Sequence, residues 1–136
     1  MSAPRLFMSL IVPFISGCST SAPPSVCGES FCLPADAKLV EVLAPVEDFK
    51  FYRIEWRGQS VEIYEGNQPK DRPEATSTVP VELPIDPKAV LRRHDLGGSV
   101  LVHMGRDWPV FLEVIGPCPA EGDCPVATFA EGLRRR

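Results

Sequence analysis

The chain has 136 residues and a net charge of −4, with 44% hydrophobic and 24% charged residues. This length suits one domain with a modest hydrophobic core and argues against a second independent domain. The balanced composition argues against wholesale disorder, and the mildly acidic charge argues against a nucleic-acid partner, which requires a basic face.

The first 17 residues have the pattern of an export signal. Arg5 is the only charged residue among them, and residues 6–15 form an apolar run that Ser9 and Pro13 interrupt. About ten apolar residues are too few to span a bilayer, which takes roughly twenty. The pattern therefore predicts a signal peptide over residues 1–17 rather than a retained membrane helix.

A four-residue motif follows this apolar run. Ile15, Ser16, Gly17 and Cys18 are, in order, an aliphatic residue, a small residue, a glycine and a cysteine. The motif resembles the lipobox of bacterial lipoproteins at all four positions, and the resemblance covers residues 1–19. It implies that a diacylglyceryl group is attached to the Cys18 sulfur and that a signal peptidase cuts just before this residue. A plain secreted protein with an incidental cysteine is the alternative.

The resemblance also implies an address in the cell. Several acyl chains anchor a protein stably in a membrane, and Ser19 stands where an aspartate resembles the inner-membrane retention signal of enteric bacteria. We therefore expect lipid anchoring in the cell envelope, at the outer membrane and facing the periplasm. Residues 18–25, rich in Ser and Pro, are expected to form a flexible tether, and residues 26–136 a single small globular domain.

Short runs rich in β-branched and aromatic residues recur through the domain, separated by Gly, Pro or Asp. They predict strands at residues 38–43, 49–57, 60–65, 78–83, 99–104 and 110–115. Arg57, Gly58 and Gln59 have the spacing of a hairpin turn between two of these strands. Residues 66–84 are rich in proline, so a long loop or an irregular edge segment is expected there.

Two short helices are also predicted. Asp86 and Pro87 are favourable as N-cap and first helical residue, and Gly97 with Gly98 would end this helix. A second helix is expected over residues 126–133. The predicted fold class is mainly β, or α+β: a small antiparallel sheet, or a sandwich or barrel, with one or two short helices and disulfide staples.

Four cysteines remain in the domain after Cys18 is assigned to lipid. An even number of cysteines in an oxidising envelope predicts two disulfides. Local pairing of Cys27 with Cys32 and of Cys118 with Cys124 is favoured by spacing, and two bridges between the ends of the domain are the alternative. Zinc ligation and a redox dithiol fit these spacings poorly. No metal and no cofactor is therefore expected.

The two histidines allow a catalytic alternative. His94, Asp95, His103 and Asp107 would form an acid/base or metal site if the fold brought them together. A charged, solvent-facing helix end is favoured for His94 and Asp95, because adjacent helical residues do not face each other and no nucleophile motif accompanies them. No catalytic residue is assigned.

Three aromatic residues, Trp56, Tyr64 and Trp108, mark a candidate contact surface. A hairpin with aromatic side chains on both faces can bury one set and offer the other to a partner. Packing in the core is the competing interpretation. The basic residues 134–136 are expected to be a solvated chain end.

Three functions stay open at this stage. The first is a non-catalytic envelope lipoprotein that acts through contacts with an envelope protein, as an accessory, assembly or inhibitor subunit. The second is a periplasmic binding module for a small ligand, glycan or lipid, marked by an apolar cavity between sheet and helix and lined by Trp56 or Trp108. The third is a hydrolase or redox enzyme, which a cleft joining His94, Asp95 and Asp107 would favour.

Overall fold

The computed structural model describes residues 25–46, 48–67 and 75–136. The predicted lipobox residues Ile15, Ser16, Gly17 and Cys18 lie outside these ranges. One helix, α1 (Pro125–Glu131), falls within them. The strands are β1 (Phe31–Cys32), β2 (Ala37–Val46), β3 (Phe49–Trp56), β4 (Gln59–Gly66), β5 (Ser77–Val81), β6 (Ala89–His94), β7 (Gly97–His103), β8 (Phe111–Gly116) and β9 (Arg134–Arg135). None of the described helical structure is long and apolar enough to cross a membrane.

Seven of these strands form one antiparallel sheet in the order β2-β3-β4-β8-β7-β6-β5. Two meanders, β2-β3-β4 and β5-β6-β7-β8, are joined where β4 pairs with β8. Strands β1 and β9 form a separate two-stranded antiparallel sheet. All six predicted strands correspond to strands of the large sheet, and the predicted mainly β class is confirmed.

The core lies on one face of the large sheet, which we call the inner face; the opposite face is the outer face. Side chains along a strand alternate between the two faces. On β3, the buried residues Tyr52, Ile54 and Trp56 accordingly alternate with the exposed residues Arg53 and Glu55. The inner face continues across the sheet through the buried residues Val61, Ile63, Leu112, Val114, Val100, Val102 and Leu91.

Helix α1 and the two-stranded sheet cover the inner face. Phe129 of α1 packs edge-on against Trp56, with ring centroids 5.5 Å apart. Phe31 of β1 packs in the same way against Tyr52, at 5.0 Å. Pro125 begins the helix, where its missing N–H costs no hydrogen bond. The helix predicted near the C-terminus is confirmed, with its ends shifted by one or two residues.

A buried carboxylate links the N-terminal part of the domain to the sheet. Glu65, on the inner face of β4, is fully buried and accepts hydrogen bonds from the hydroxyl groups of Tyr52, at 2.8 Å, and Ser30. These two donors offset the cost of removing the carboxylate from water. Burial, followed by the hydrogen bond to Glu65, raises the pKa of Tyr52.

The segment after Asp86 is a strand, so the helix predicted between Asp86 and Gly97 is wrong. Strand β6 lies between β5 and β7 and pairs with both. The Asp86 carboxylate does cap a turn, because it accepts hydrogen bonds from the backbone N–H groups of Lys88 and His103, each at 2.9 Å. The hydrogen bond from His103 fixes Asp86 beside β7. The residues that follow then form backbone hydrogen bonds with β5 and β7, and these stabilise a strand more than the N-cap residue stabilises a helix.

Both disulfides close locally. Cys27 is bonded to Cys32 and Cys118 to Cys124, which confirms the pairing favoured by spacing over bridges between the ends of the domain. The Arg93 guanidinium donates hydrogen bonds to the backbone carbonyls of Pro119 and Gly122, which lie in the loop closed by the Cys118–Cys124 disulfide. That loop is therefore fixed to β6 as well as closed by its disulfide.

The C-terminal arginines are exposed, as expected for a solvated chain end, but they are also part of the fold. Arg134 and Arg135 form β9, which pairs with β1. The Arg135 guanidinium also donates hydrogen bonds to the backbone carbonyls of Ile85, His103 and Met104. Hydrogen bonds from a charged donor contribute more than those between neutral groups, so this side chain ties the chain end to two loops.

Candidate binding site on the outer face of the sheet

The structure separates the residues of the predicted acid/base site. His94 ends β6 and pairs with Gly97 at the start of β7, whereas His103 ends β7. At about 3.3 Å per residue, the length of β7 places the two histidines roughly 20 Å apart. Asp107 lies in the loop beyond His103. Only His94 and Asp95 are therefore neighbours, and the four residues do not form one site.

Other sites for a metal or nucleophile are also limited by the fold. In the part of the chain that the structure describes, no group of three or more His, Cys, Asp or Glu side chains is placed to hold a metal ion. The four domain cysteines are in disulfides and offer no thiolate. His103 packs its ring edge-on against Phe111, with centroids 4.8 Å apart.

The three aromatic residues of the predicted contact surface lie in three different places. Trp56 is only 3% exposed and packs in the core, where its indole N–H donates to the Asp36 carboxylate at 3.0 Å. Trp108 is partly buried in the β7–β8 loop, and its ring centroid lies 5.8 Å from the Lys50 ammonium. Tyr64 lies on the outer face. For Trp56, the core interpretation is therefore the correct one.

Tyr64 belongs to an aromatic cluster on the outer face, which we define as Phe49, Phe51 and Tyr64. The ring centroids of this cluster are 5.4 to 5.7 Å apart. Phe51 and Tyr64 are cross-strand partners, and the Tyr64 ring lies over Gly66, where a Cβ atom would meet the phenol oxygen at 2.5 Å. Tyr64 is buried, with 8% of its surface exposed, whereas Phe49 and Phe51 are only partly buried. Part of the surface of these two phenylalanines is therefore exposed on the outer face.

A cavity of about 750 Å³ lies on the outer face, at the end of the sheet where the β3–β4 and β6–β7 hairpins turn. We call it the hairpin-end cavity. Its volume falls within the usual range for small-molecule sites, roughly 300–1,000 Å³. The side chains that line it include Ser60, Glu62, His94, Asp95, Leu96 and Ile115.

The strand register explains why these side chains converge. Glu62 pairs with Ile115, and Ile115 pairs with Ser99, so the three residues point to the same face. Gly97 forms part of the floor between β8 and β6. Its φ is 151°, and a Cβ atom there would meet the Gly116 carbonyl oxygen at 3.0 Å. Glycine is therefore required at this part of the floor.

The β3–β4 turn beside the cavity is the one predicted from the sequence. Arg57 and Gly58 have φ values of 50° and 73°, and two central residues with positive φ are typical of a type I′ turn. The Arg57 guanidinium lies 4.5 Å from the centroid of a Trp56 ring and donates to the Asp36 carboxylate at 2.8 Å. This hydrogen bond is the main reason that the pKa of Asp36 is lowered.

Polar atoms without partners lie at the cavity. Both ring nitrogens of His94 are buried and have no hydrogen-bond partner in the described part of the chain. The hydroxyl of the fully buried Ser99, next to the cavity, has none there either. Leu96, at the tip of the β6–β7 hairpin, is fully exposed at the rim. Because buried polar atoms are normally hydrogen-bonded, the unpartnered nitrogens of His94, which lines the cavity, make this end of the sheet the candidate binding site.

Sequence reasoning identified part of this site, but in another role. His94 and Asp95 were expected in an acid/base site or at a helix end, whereas they line a cavity at a hairpin tip. Ser60 and Glu62 were assigned to a strand and not to a site. One feature of the sequence could have indicated the site. Leu96 is an apolar residue between an aspartate and two glycines, a position in a turn where residues are usually polar.

No protein-family model, no curated protein and no solved structure matches this chain. The functional assignment therefore depends on the N-terminal motif and on the geometry of the outer face.

Proposed function

We propose that this protein is a lipid-anchored, non-catalytic module of the bacterial cell envelope that acts through contacts with another envelope protein. In this role it is an accessory, assembly or inhibitor subunit, held at the outer membrane and facing the periplasm. The observation that carries the proposal is the lipobox-like motif from Ile15 to Cys18. The partly exposed phenylalanine rings and the cavity on the outer face support the contact role.

The anchor is supported by the residues on both sides of Cys18. A short apolar run precedes it, and a segment rich in Ser and Pro separates it from the domain. At up to about 3.5 Å per residue, this tether allows the domain to stand roughly 25 Å from the membrane. The two disulfides suit the oxidising compartment that the address implies.

Contact with a protein is supported by the composition of the outer face. The aromatic cluster supplies the residue type most enriched in the centres of protein interfaces. Arg53 and Glu41 lie beside it on β3 and β2 and form an ion pair at 3.0 Å. An aromatic centre with a charged rim is the arrangement in which truncation of the central rings costs most of the binding energy.

The surroundings of His94 bear on the catalytic alternative. Its ring nitrogens have no hydrogen-bond partner among the described residues, and of the serines only Ser60 lines the cavity with it. An activated nucleophile needs such a bond to its base. His103 is roughly 20 Å away along β7, so it cannot complete a site with His94.

A second candidate function is a periplasmic module for a small ligand. The hairpin-end cavity, at about 750 Å³, favours it. This cavity differs from the one expected for that function, because it lies on the outer face and its mixed polar lining includes neither Trp56 nor Trp108. The two functions are compatible if the ligand group belongs to a partner protein.

Mass spectrometry of protein extracted from bacterial membranes, without reduction, tests the anchor. The expected mass is that of residues 18–136 with acyl groups on Cys18 and two disulfides. The Cys18→Ala variant should persist as an unacylated precursor of higher polypeptide mass, because the sulfur that takes up the lipid is missing. The matched variant Ser19→Asp should still be acylated, but should move to the inner membrane in an enteric host.

Two outcomes would reject the anchor. Normal maturation of Cys18→Ala would show that cleavage does not depend on the cysteine. An exported wild-type chain with an unmodified Cys18 would leave the plain secreted protein as the correct alternative.

A further inference from the structure

We propose that the hairpin-end cavity binds a primary amine carried on an aliphatic chain, the chemistry of a lysine side chain. This goes beyond the proposed function by naming the chemical group that enters the outer face. It rests on the proposed function only in taking a partner protein as the source of the lysine.

The charge of the lining favours a cationic ligand. Glu62 and Asp95 line the cavity, and no lysine or arginine of the described ranges does. Neither carboxylate takes part in an ion pair with another described residue. Arg53, the cross-strand neighbour of Glu62, is already paired with Glu41, and Arg92, on the same face, lies outside the lining. Among the described residues that line the cavity, only these two carboxylates carry a formal charge, which favours a cation there.

Hydrogen bonding adds a second requirement on the ligand. A neutral imidazole has one donor and one acceptor nitrogen, and neither nitrogen of His94 has a partner in the described chain. An ammonium group held at Glu62 offers nothing to the donor nitrogen of His94 on the other side of the cavity. A carbonyl next to the amine-bearing chain satisfies the donor, and the peptide group of a lysine residue supplies one. This favours a lysine within a peptide over a free amine.

The width of the site agrees with a ligand of this length. Glu62 lies on β4 and His94 on β6, with β8 and β7 between them. Adjacent strands are about 4.8 Å apart, so the two backbones are separated by roughly 14 Å. Both side chains reduce this gap from opposite sides, and an extended lysine residue spans the remainder. A single ammonium ion or metal ion does not bridge the two sides.

Apolar contacts complete the match. Ile115 lies on the strand between Glu62 and the β7 floor, and Leu96 stands fully exposed at the rim. Both are placed to contact the methylene groups of the ligand and remove them from water. An exposed leucine is unremarkable when alone, but here it borders a cavity that also holds unpartnered polar atoms.

Calorimetric titration of the purified full chain tests the proposal with three probes. Nα-acetyl-lysine methylamide carries both the amine and the carbonyls, its norleucine counterpart lacks the amine, and 1,5-diaminopentane lacks the carbonyls. We expect the lysine probe to bind and the norleucine probe to bind more weakly. Glu62→Gln should weaken binding of the lysine probe by about two- to fivefold, as expected for one partly exposed ion pair.

Glu82→Gln is the matched control, because Glu82 is exposed, lies beyond β5 and loses the same charge. It should leave the affinity unchanged, and circular dichroism should show both variants folded. Equal affinity for the lysine and norleucine probes, or equal behaviour of the two variants, would overturn the proposal. Equal affinity for 1,5-diaminopentane would support the amine site and assign its source to a free amine. If no probe binds while Cys18 is found acylated, the amine site fails and the anchored module stands.

Discussion

The two faces of the seven-stranded sheet are made by the same strands but are stabilised in different ways. On the inner face, buried aliphatic and aromatic side chains pack against α1 and the β1–β9 sheet. On the outer face, an aromatic cluster lies along β3 and β4, and a cavity with two carboxylates lies at the hairpin end. The apolar core therefore lies on the inner face, whereas the outer face combines the buried residues Tyr64, Ser99 and Glu113 with partly exposed rings and a cavity.

Removing one phenyl ring from each face should give the largest difference in the free energy of unfolding between the two faces. Phe129 is fully buried against Trp56, so Phe129→Ala should lower the free energy of unfolding by about 3–5 kcal/mol through lost burial and the cavity left behind. Phe51 is only partly buried on the outer face, and Phe51→Ala should cost about 1 kcal/mol. Urea denaturation measures both losses. Equal losses would contradict the assignment of the core to one face.

Replacing one carboxylate by an amide on each face of β4 should give a smaller difference in the free energy of unfolding. Glu65 is buried and accepts hydrogen bonds from two hydroxyl groups, and Glu65→Gln should cost about 1–3 kcal/mol because the amide replaces one acceptor by a donor. Glu62→Gln, on the outer face, should stay within about 0.5 kcal/mol of the wild type. Denaturation of the two variants side by side gives the comparison. A neutral Glu65→Gln would show that the buried carboxylate does not stabilise the fold.

The smallest expected effect appears at alkaline pH. Burial and the Glu65 carboxylate raise the pKa of Tyr52, whereas a tyrosine in the unfolded chain ionises near pH 10. The folded state therefore disfavours the ionised ring. The contribution of Tyr52 to stability is complete below about pH 10 and declines as the pH rises further. From pH 9 to pH 11, the wild type should lose about 1 kcal/mol more than Tyr52→Phe. An identical pH dependence would contradict this environment for Tyr52.

Much of the inner face was predictable because it depends on local patterns. The β-branched and aromatic residues of the run 49–57 identified β3, and the alternation of Tyr52, Ile54 and Trp56 with charged residues is visible in the same run. Arg57 and Gly58 identified the hairpin turn, and short spacing identified the disulfide pairs. These features involve residues close in sequence, so their physical cause is visible before the fold is known.

The outer face was less predictable because it depends on distant pairings. The cavity exists because β4 pairs with β8, and Glu62 meets Ile115 only through that register. Strand β6 was mistaken for a helix because the Asp86–Pro87 start signal is local, while the two strands that flank β6 are not. The hydrogen bonds of Arg135 to three backbone carbonyls likewise depend on tertiary structure.

The most direct test of the division between the two faces is a map of backbone amide shifts of the ¹⁵N-labelled chain with excess Nα-acetyl-lysine methylamide. We expect shifts at the hairpin-end cavity, centred on Ser60, Glu62, His94 and Ile115, and unchanged resonances for α1 and β1. Shifts centred on α1 and the core, or no shift at the cavity, would contradict it.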